Sequence, residues 1–384
     1  AEQEREAGAA APLVFETVHA KVLDHLYNQM HFYTWGDQEC CLARGATSAT
    51  LATHLPFEVG DFLVLQEFVS PTTGRQEDAN RDHRHVVRLT RVELAEDPVG
   101  ELFKSGTEAP VPITRIEWHP SDALPFTLCI STAKFENVGV ALGNTALGER
   151  GEDQMGDPFP PVPDDRPAPR ARASQVGDCC SPAETRRAPQ RFRPRLTHLP
   201  LTHGFALTDL LSETEPADRP RWSAAALRAL HPRDARPRIW LNVKDTTPPV
   251  TWAVQRDLLR SGPSAPDFVV EIEDDGCARL RFGDGVNGQR PEEQTVLLAN
   301  YRVGNGVLGN VGAEAIAHAT GTVLKIARVW NPLPAFGGED PEDIEAARRD
   351  APHAFRTQRR AVTAADYADA AGRVSDVQRA AATF

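Results

Sequence analysis

Ten of the fifty residues between Gly151 and Pro200 are proline, and the apolar periodicity that marks helices and strands is missing there. Proline has no backbone N–H and a fixed φ, so such a run cannot form a helix interior or a central strand. The chain is thereby divided into two parts, each needing its own core, joined by a Pro/Arg-rich arm or linker over residues 151–236. A passive linker and an extended arm that wraps a neighbour fit this composition equally, because prolines reduce the entropy lost when such a segment is ordered.

Both flanks read as β structure. From Cys41 to Ser131 short apolar runs alternate with turn signals: FLVL after Val59-Gly60-Asp61, then HVVRLTRVEL, ITRIEW and PFTLCIS. They predict an antiparallel β domain over residues 36–150. Beyond Arg236 come IWLNVKD and FVVEIEDDGCARLRFGDGVNG, in which Asp275-Gly276 between two alternating runs predicts a tight hairpin. TVLLANYRV, the glycine-rich GNGVLGNVGAEAI and TVLKIARVW complete a second β domain over residues 237–335. Helix is expected at the ends. Val18, Val22, Leu23, Leu26 and Met30 recur at helical intervals in the N-terminal segment 1–35. In the C-terminal segment 336–384, Asp340-Pro341 supplies a cap and a first-turn proline, and Thr363 with Asp366 resembles a capping box. The expected fold class is α+β, mainly β, and multidomain, with antiparallel β domains, a Pro-rich extended arm and a C-terminal helical segment.

Charge and cysteine usage narrow the function. The formal net charge is −12, which disfavours a broad phosphate-binding surface, so no nucleic acid partner is expected. Only five of the 42 basic residues are lysine, a bias that suits a GC-rich genome and, through arginine's planar fork, protein interfaces. No apolar run approaches the roughly 20 residues that span a bilayer, and AEQEREAGAAAP is acidic and polar, so no membrane anchor is expected. The chain opens without methionine and VQRAAATF reads as the middle of a strand, the expectation being a piece of a longer protein. Six cysteines, four of them in the adjacent pairs Cys40-Cys41 and Cys179-Cys180, predict neither a disulfide framework nor a zinc site. Assembly in a reducing compartment is expected.

Four constellations invite a chemical reading. His83 and His85 occupy alternate positions of a strand and face one side, as two ligands of a metal would, but no third ligand stands at useful spacing. Phe282-Gly283-Asp284-Gly285 lacks the Gly-Lys-Ser/Thr ending of a phosphate loop. Gly304-x-Gly306-x-x-Gly309 has the dinucleotide spacing without a βαβ unit around it. The carboxylates Glu271, Glu273, Asp274 and Asp275 cluster in a hairpin, where acids are usually solvated turn residues rather than a glycosidase pair. No Gly-x-Ser-x-Gly elbow is present. The expectation is no enzyme activity, no metal and no cofactor.

Three blocks together resemble the baseplate J family of phages and contractile injection systems: FVVEIEDDGCARLRFGDGVNGQRP, ANYRVGNGVLGNVGAEAI, and NPLPAFGGEDPEDIEAARRDAPHAFRTQRRAVTAADYADAA. The residues that carry the resemblance are Gly283, Asp284, Gly285, Tyr301, Gly304, Gly306, Gly309, Asn310, Gly337, Gly338, Arg360, Thr363, Asp366 and Tyr367. FYTWGDQECCLARGATSATL, HRHVVRLTRV and IEWHPSDALPF are similar to a longer subgroup of baseplate assembly proteins. The resemblance implies a structural wedge subunit that helps form the ring around spike and hub. It implies as partners copies of itself, other wedge subunits, sheath-initiator and spike/hub proteins, in a particle assembled in the bacterial cytoplasm and open to later release. The chain departs from the family in its longer proline-rich arm and in ending just after the Asp366-Tyr367 helix. A β-rich carbohydrate-binding or adhesive module of the same kind of particle is the alternative.

Overall fold

The structure is a computed structural model that describes residues 12–100, 110–164, 191–215, 219–320, 326–354 and 360–374, with short pieces at 166–167, 187–188, 377 and 379–384. It divides into a large unit ending at Glu339 and a small one from Asp340 to Phe384. The architecture is α+β and mainly β, with antiparallel sheets, as the alternation predicts.

The first sheet contains β1 (Met30–His31), β2 (Ser48–Ala52), β3 (Phe62–Glu67), β4 (Arg84–Asp97), β5 (Val111–Trp118) and β6 (Gly139–Thr145), in spatial order β1-β6-β3-β4-β5-β2. The long β4 serves two partners: Arg84–Arg88 pairs with β3, and Leu89–Asp97 pairs with β5. A register shift between Leu89 and Arg91 lets the strand bend where it changes partner. The bend curls the sheet until its outer strands meet, through a bridge between Phe32 and Leu51 and a 2.8 Å bond from Tyr33 N–H to Thr50 O. Alternate side chains therefore point into a closed barrel, where Phe32, Leu51, Leu63, Leu65, Val87, Leu89, Ile116 and Trp118 form the core. Each such side chain contributes roughly 1.5–3 kcal/mol by leaving water.

β3 is buried on both faces, which its uninterrupted FLVL run encodes. Phe62, pointing outward, is covered by α1 (Leu207–Ser212) and α2 (Ala224–Arg228) through Leu207, Leu210, Leu211, Trp222 and Leu227.

The second sheet holds β7 (Glu152–Pro158), β8 (Ile239–Val243), β9 (Thr251–Gln255), β10 (Asp267–Ile272), β11 (Ala278–Phe282) and β12 (Leu297–Val303), ordered β7-β12-β8-β9-β10-β11. The β9–β10 pair is parallel and the other pairs are antiparallel. Leu241, Trp252, Phe268, Leu280, Leu297 and Tyr301 form its core together with Phe159, Leu196 and Leu201 from the proline-rich segment.

Several sequence expectations need correction. No helix forms between Val14 and Met30. Phe15–Thr17 pairs with Gly148–Arg150, and a single 3-10 turn, His25–Tyr27, follows. An isolated amphipathic helix of that length is marginal, and the ladder to Gly148–Arg150 supplies bonds it would forgo. Val22, Leu23 and Leu26 are exposed.

The span 151–236 is not uniformly an arm. β7 opens it as a sheet edge, and Phe159 and Val162 continue alongside β12 by donating N–H bonds of 2.9 Å to Leu297 and Thr295. Pro160, Pro161 and Pro163 fit because an edge needs no outward donors. Further on, Leu196 N–H bonds Ala278 O and Thr202 N–H bonds Arg302 O, so this stretch crosses from β11 toward β12. Arg166–Pro167 pairs with Arg187–Ala188. Residues 165, 168–186, 189–190 and 216–218 of the span, Cys179 and Cys180 among them, lie outside the described residues.

Of TVLKIARVW, residues 322–325 lie outside the described residues and Ile326–Trp330 forms no strand.

In the small unit α3 (Ile344–Ala354) starts later than Asp340-Pro341 implies. Asp343 supplies the cap, accepting from Ala346 N–H at 3.2 Å and leading directly into Ile344. α4 (Ala364–Gly372) carries the reciprocal box of Thr363 and Asp366.

Candidate functional site

The residues that carry the resemblance fall in three places, and the densest group surrounds the end of β12. This strand is apolar except for Asn300 and Arg302, both buried. Tyr301 points into the second core. Its hydroxyl donates to Asp157 Oδ2 at 2.8 Å and accepts from His198 N–H at 3.2 Å. Burial pushes the phenol up to about 12; the Asp157 carboxylate adds to the rise and the His198 N–H opposes it.

Arg302, on the opposite face, is 7% exposed and reaches five oxygens. Its Nη1 donates to Glu16 Oε2 at 2.6 Å and Asp153 Oδ1 at 2.9 Å. Its Nη2 and Nε donate to the carbonyls of Glu149 at 2.8 Å, Gly151 at 3.0 Å and Arg150 at 3.2 Å. Burial opposes the charge on this guanidinium, but the Glu16 and Asp153 bonds hold its pKa above the ordinary value. One side chain thus clamps the N-terminal strand, the strand leaving the barrel and the edge of the second sheet. Burial raises the Glu149 carboxyl above its usual range, against the pull of Arg302 and Arg238.

The glycines of the same motif bring the backbones together. Gly304 has φ +133° and packs on Gly151, where a Cβ would sit 2.9 Å from the Gly151 Cα. Only glycine fits that crossing. Arg150 passes beside Gly309 and donates to the carbonyls of Asn305 at 2.5 Å and Gly306 at 3.2 Å. Gly306 opens a single 3-10 turn, Val307–Gly309, rather than the helix a dinucleotide loop requires. Asn310 closes the group with two 2.8 Å bonds, accepting from Gly338 N–H and donating to Gly338 O, next to Gly337.

The second place is the loop after β11, four strands from β12 across the sheet. Asp284 Oδ1 accepts from Val286 and Asn287 N–H, both at 2.9 Å, and these bonds lower its carboxyl. Gly285 donates to Gly288 O at 3.0 Å. Gly283 lies so tightly against the Gly288 backbone that a Cβ there would overlap it. The third place is the small unit. There Asp366 binds Arg360 at 3.2 Å and the N–H groups of Val362 and Thr363, while Tyr367 packs edge-on against Phe384.

The remaining candidates are structural in their contacts. His83 bonds Glu67 at 2.8 Å and stacks on Phe126, while His85 bonds Asp122 O at 2.9 Å and is lowered in pKa by burial. Among the described residues no three His, Cys, Asp or Glu side chains are grouped to hold a metal. Glu271 pairs with Arg281 and Arg193, Glu273 with Arg279 and Asp275 with Arg195. Asp274 shares the turn.

Sequence reasoning missed Arg302 and the Arg88–Asp122 pair. Arg88, buried in β4, donates to the carbonyls of Gly60, Leu211 and Trp222. The fully buried Asp122 accepts from the N–H groups of Arg88, Ala224 and Ala225 at 3.1, 2.9 and 2.8 Å. The available signal was an arginine inside an otherwise apolar strand, in HVVRLT and LLANYRV alike.

No protein-family model matches the chain. Its sequence is similar to that of the baseplate wedge protein gp6 of Enterobacteria phage T4, 28% identical over 141 residues that cover 31% of this chain and 21% of that protein. The chain thus spans about a fifth of the length of the curated relative it matches. At that identity and coverage the comparison gives a partial sequence likeness to a baseplate wedge protein.

Proposed function

We propose that this chain is a structural wedge subunit of a phage-tail-like contractile particle, contributing to the ring around spike and hub and linking it to the sheath. The observation that carries the reading is the likeness to a baseplate wedge protein. The geometry is in keeping with it: the residues around Tyr301, Gly304 and Asn310 are occupied in holding distant parts of the chain to one another. A connector that transmits load needs such cross-bracing, and an enzyme site would need convergent free groups. Its partners in this reading are copies of itself, other wedge subunits, sheath-initiator and spike/hub proteins. Assembly takes place in the bacterial cytoplasm.

Deletion of the gene, followed by electron microscopy of particles from the producing cell, tests the proposal. Complete sheathed particles should disappear and return on complementation. Undiminished particles in the deletion strain, or substrate turnover or glycan binding by the purified chain, would replace the structural reading.

A further inference from the structure

Cys41 stands directly opposite Cys129, where Cys41–Leu42 pairs antiparallel with Leu128–Cys129 beside the barrel. The next pair along, Cys40 and Ile130, is bonded through Ile130 N–H to Cys40 O at 2.8 Å. Bonded and non-bonded pairs alternate in an antiparallel ladder, so Cys41 and Cys129 occupy a non-bonded position. There Cα atoms lie about 4.5 Å apart and side chains approach most closely. A disulfide spans Cα separations of roughly 4.4–6.8 Å. Both thiols are free; Cys41 is exposed and Cys129 half-buried.

The backbone on either side is already pinned. Cys40 N–H bonds Ser131 Oγ at 3.2 Å, and that hydroxyl donates to Asp37 O at 3.1 Å. Joining the sulfurs therefore needs side-chain rotation and no movement of strands. Cys40 packs on the barrel core, the side opposite to Cys41. Cys277 is buried in the second sheet beside Arg195.

We propose that Cys41 and Cys129 form an oxidation site that closes to an intramolecular disulfide by exchange with a low-molecular-weight disulfide such as glutathione disulfide. The thiolate of one cysteine attacks a sulfur of the small disulfide, forming a mixed disulfide and expelling one glutathione thiolate. The thiolate of the other attacks the protein sulfur of that intermediate and expels the second. Two protein thiols are oxidised, one small disulfide is reduced to two thiols, and the two protons lost by the cysteines balance the thiolates released. Burial and the facing thiol push Cys41 up to about 12. Its thiolate is scarce at neutral pH, and exchange accelerates as pH rises.

The test treats the full chain with glutathione disulfide, alkylates remaining thiols and maps peptides by mass spectrometry. The expected product is one linkage, Cys41 to Cys129, lost on reduction. It should form in Cys40→Ser and in a Cys179→Ser/Cys180→Ser variant, and fail in Cys41→Ser and in Cys129→Ser. Closing so long a loop should raise the melting temperature by about 3–8 °C. Full alkylation of both cysteines after treatment, a stable glutathione adduct on either without closure, or a bond through Cys40 would each overturn the proposal. If a variant misfolds, fragmentation spectra of the unaltered chain locate the bond at Cys40 or Cys41 and decide the matter.

Discussion

Arg302 is a charge taken out of water and returned five oxygens, two of them carboxylate. Replacing it with methionine keeps much of the volume but leaves the carbonyls of Glu149, Arg150 and Gly151 without their donor at the crossing, while the Glu16 and Asp153 carboxylates, partly exposed, turn to water. Arg302→Met should lower unfolding free energy by about 2–3 kcal/mol in urea titration, the loss coming mainly from the unpaired carbonyls because the exposed carboxylates are screened. Arg302→Lys should recover only part, since an ammonium cannot fork to carboxylates and carbonyls together. A loss below about 1 kcal/mol for methionine would mean that the clamp is solvated in the native protein. Glu149 beside it makes a pH-dependent case. Its folded pKa is raised, so the folded state binds the proton more readily than the unfolded chain does. Its contribution is complete below the unfolded value and is lost as pH rises through the folded one. The stability of Glu149→Gln relative to the parent should therefore improve as pH climbs from about 4. Denaturation midpoints of both proteins across that range provide the check. A difference that is flat, or that moves the other way, would remove burial as the cause.

At the scale of single elements, the loop after β11 separates two reasons for glycine. Gly285 has φ +88° with open space around it, so alanine there meets only left-handed strain of about 1 kcal/mol. Gly283 abuts the Gly288 backbone, and a methyl group must push the loop apart. Gly283→Ala should therefore destabilise the protein more than Gly285→Ala, by a margin that thermal melts resolve; equal melting temperatures would contradict the packing argument. Nothing in FGDGVNG ranks the two, because the contact is between residues five apart in a loop of irregular backbone. Strands were legible where alternation was strong, as in HVVRLTRVEL and FVVEIED, and the α4 box was legible because Thr363 and Asp366 are local to each other. The N-terminal helix was misread for the converse reason. What decides the conformation of Phe15–Thr17 is a partner at Gly148–Arg150, and no periodicity within Val14–Met30 reports on it. The Tyr301–Asn310 motif was visible as residues, but its work on Arg150, Gly151 and Gly338 was not.

Across the whole large unit, the segment between the sheets is fastened by long-range polar contacts that a linear reading cannot anticipate. Asp122 holds the start of α2 and the β4 backbone at once. Asp122→Ala leaves three N–H donors unpaired, and a cost of about 1–3 kcal/mol for each buried group is expected to fall on the attachment of residues 219–228. Hydrogen exchange should show that stretch losing protection before the barrel strands; uniform loss across β3 to β6 would instead mean that the barrel and its cover open together. The pairing of β7 with β12 has a further consequence, for the order in which the protein is made. A ribosome delivers Glu152–Pro158 long before Leu297–Val303, yet β12 is its neighbour in the sheet. The barrel strands, all emerging earlier, can close while β7 is still waiting. The waiting strand carries Glu152, Asp153 and Asp157, charges that discourage it from adopting a stranger in the meantime. A nascent chain stalled before Leu297 should thus hold a finished barrel and a protease-sensitive β7, and one released beyond Val303 should protect both.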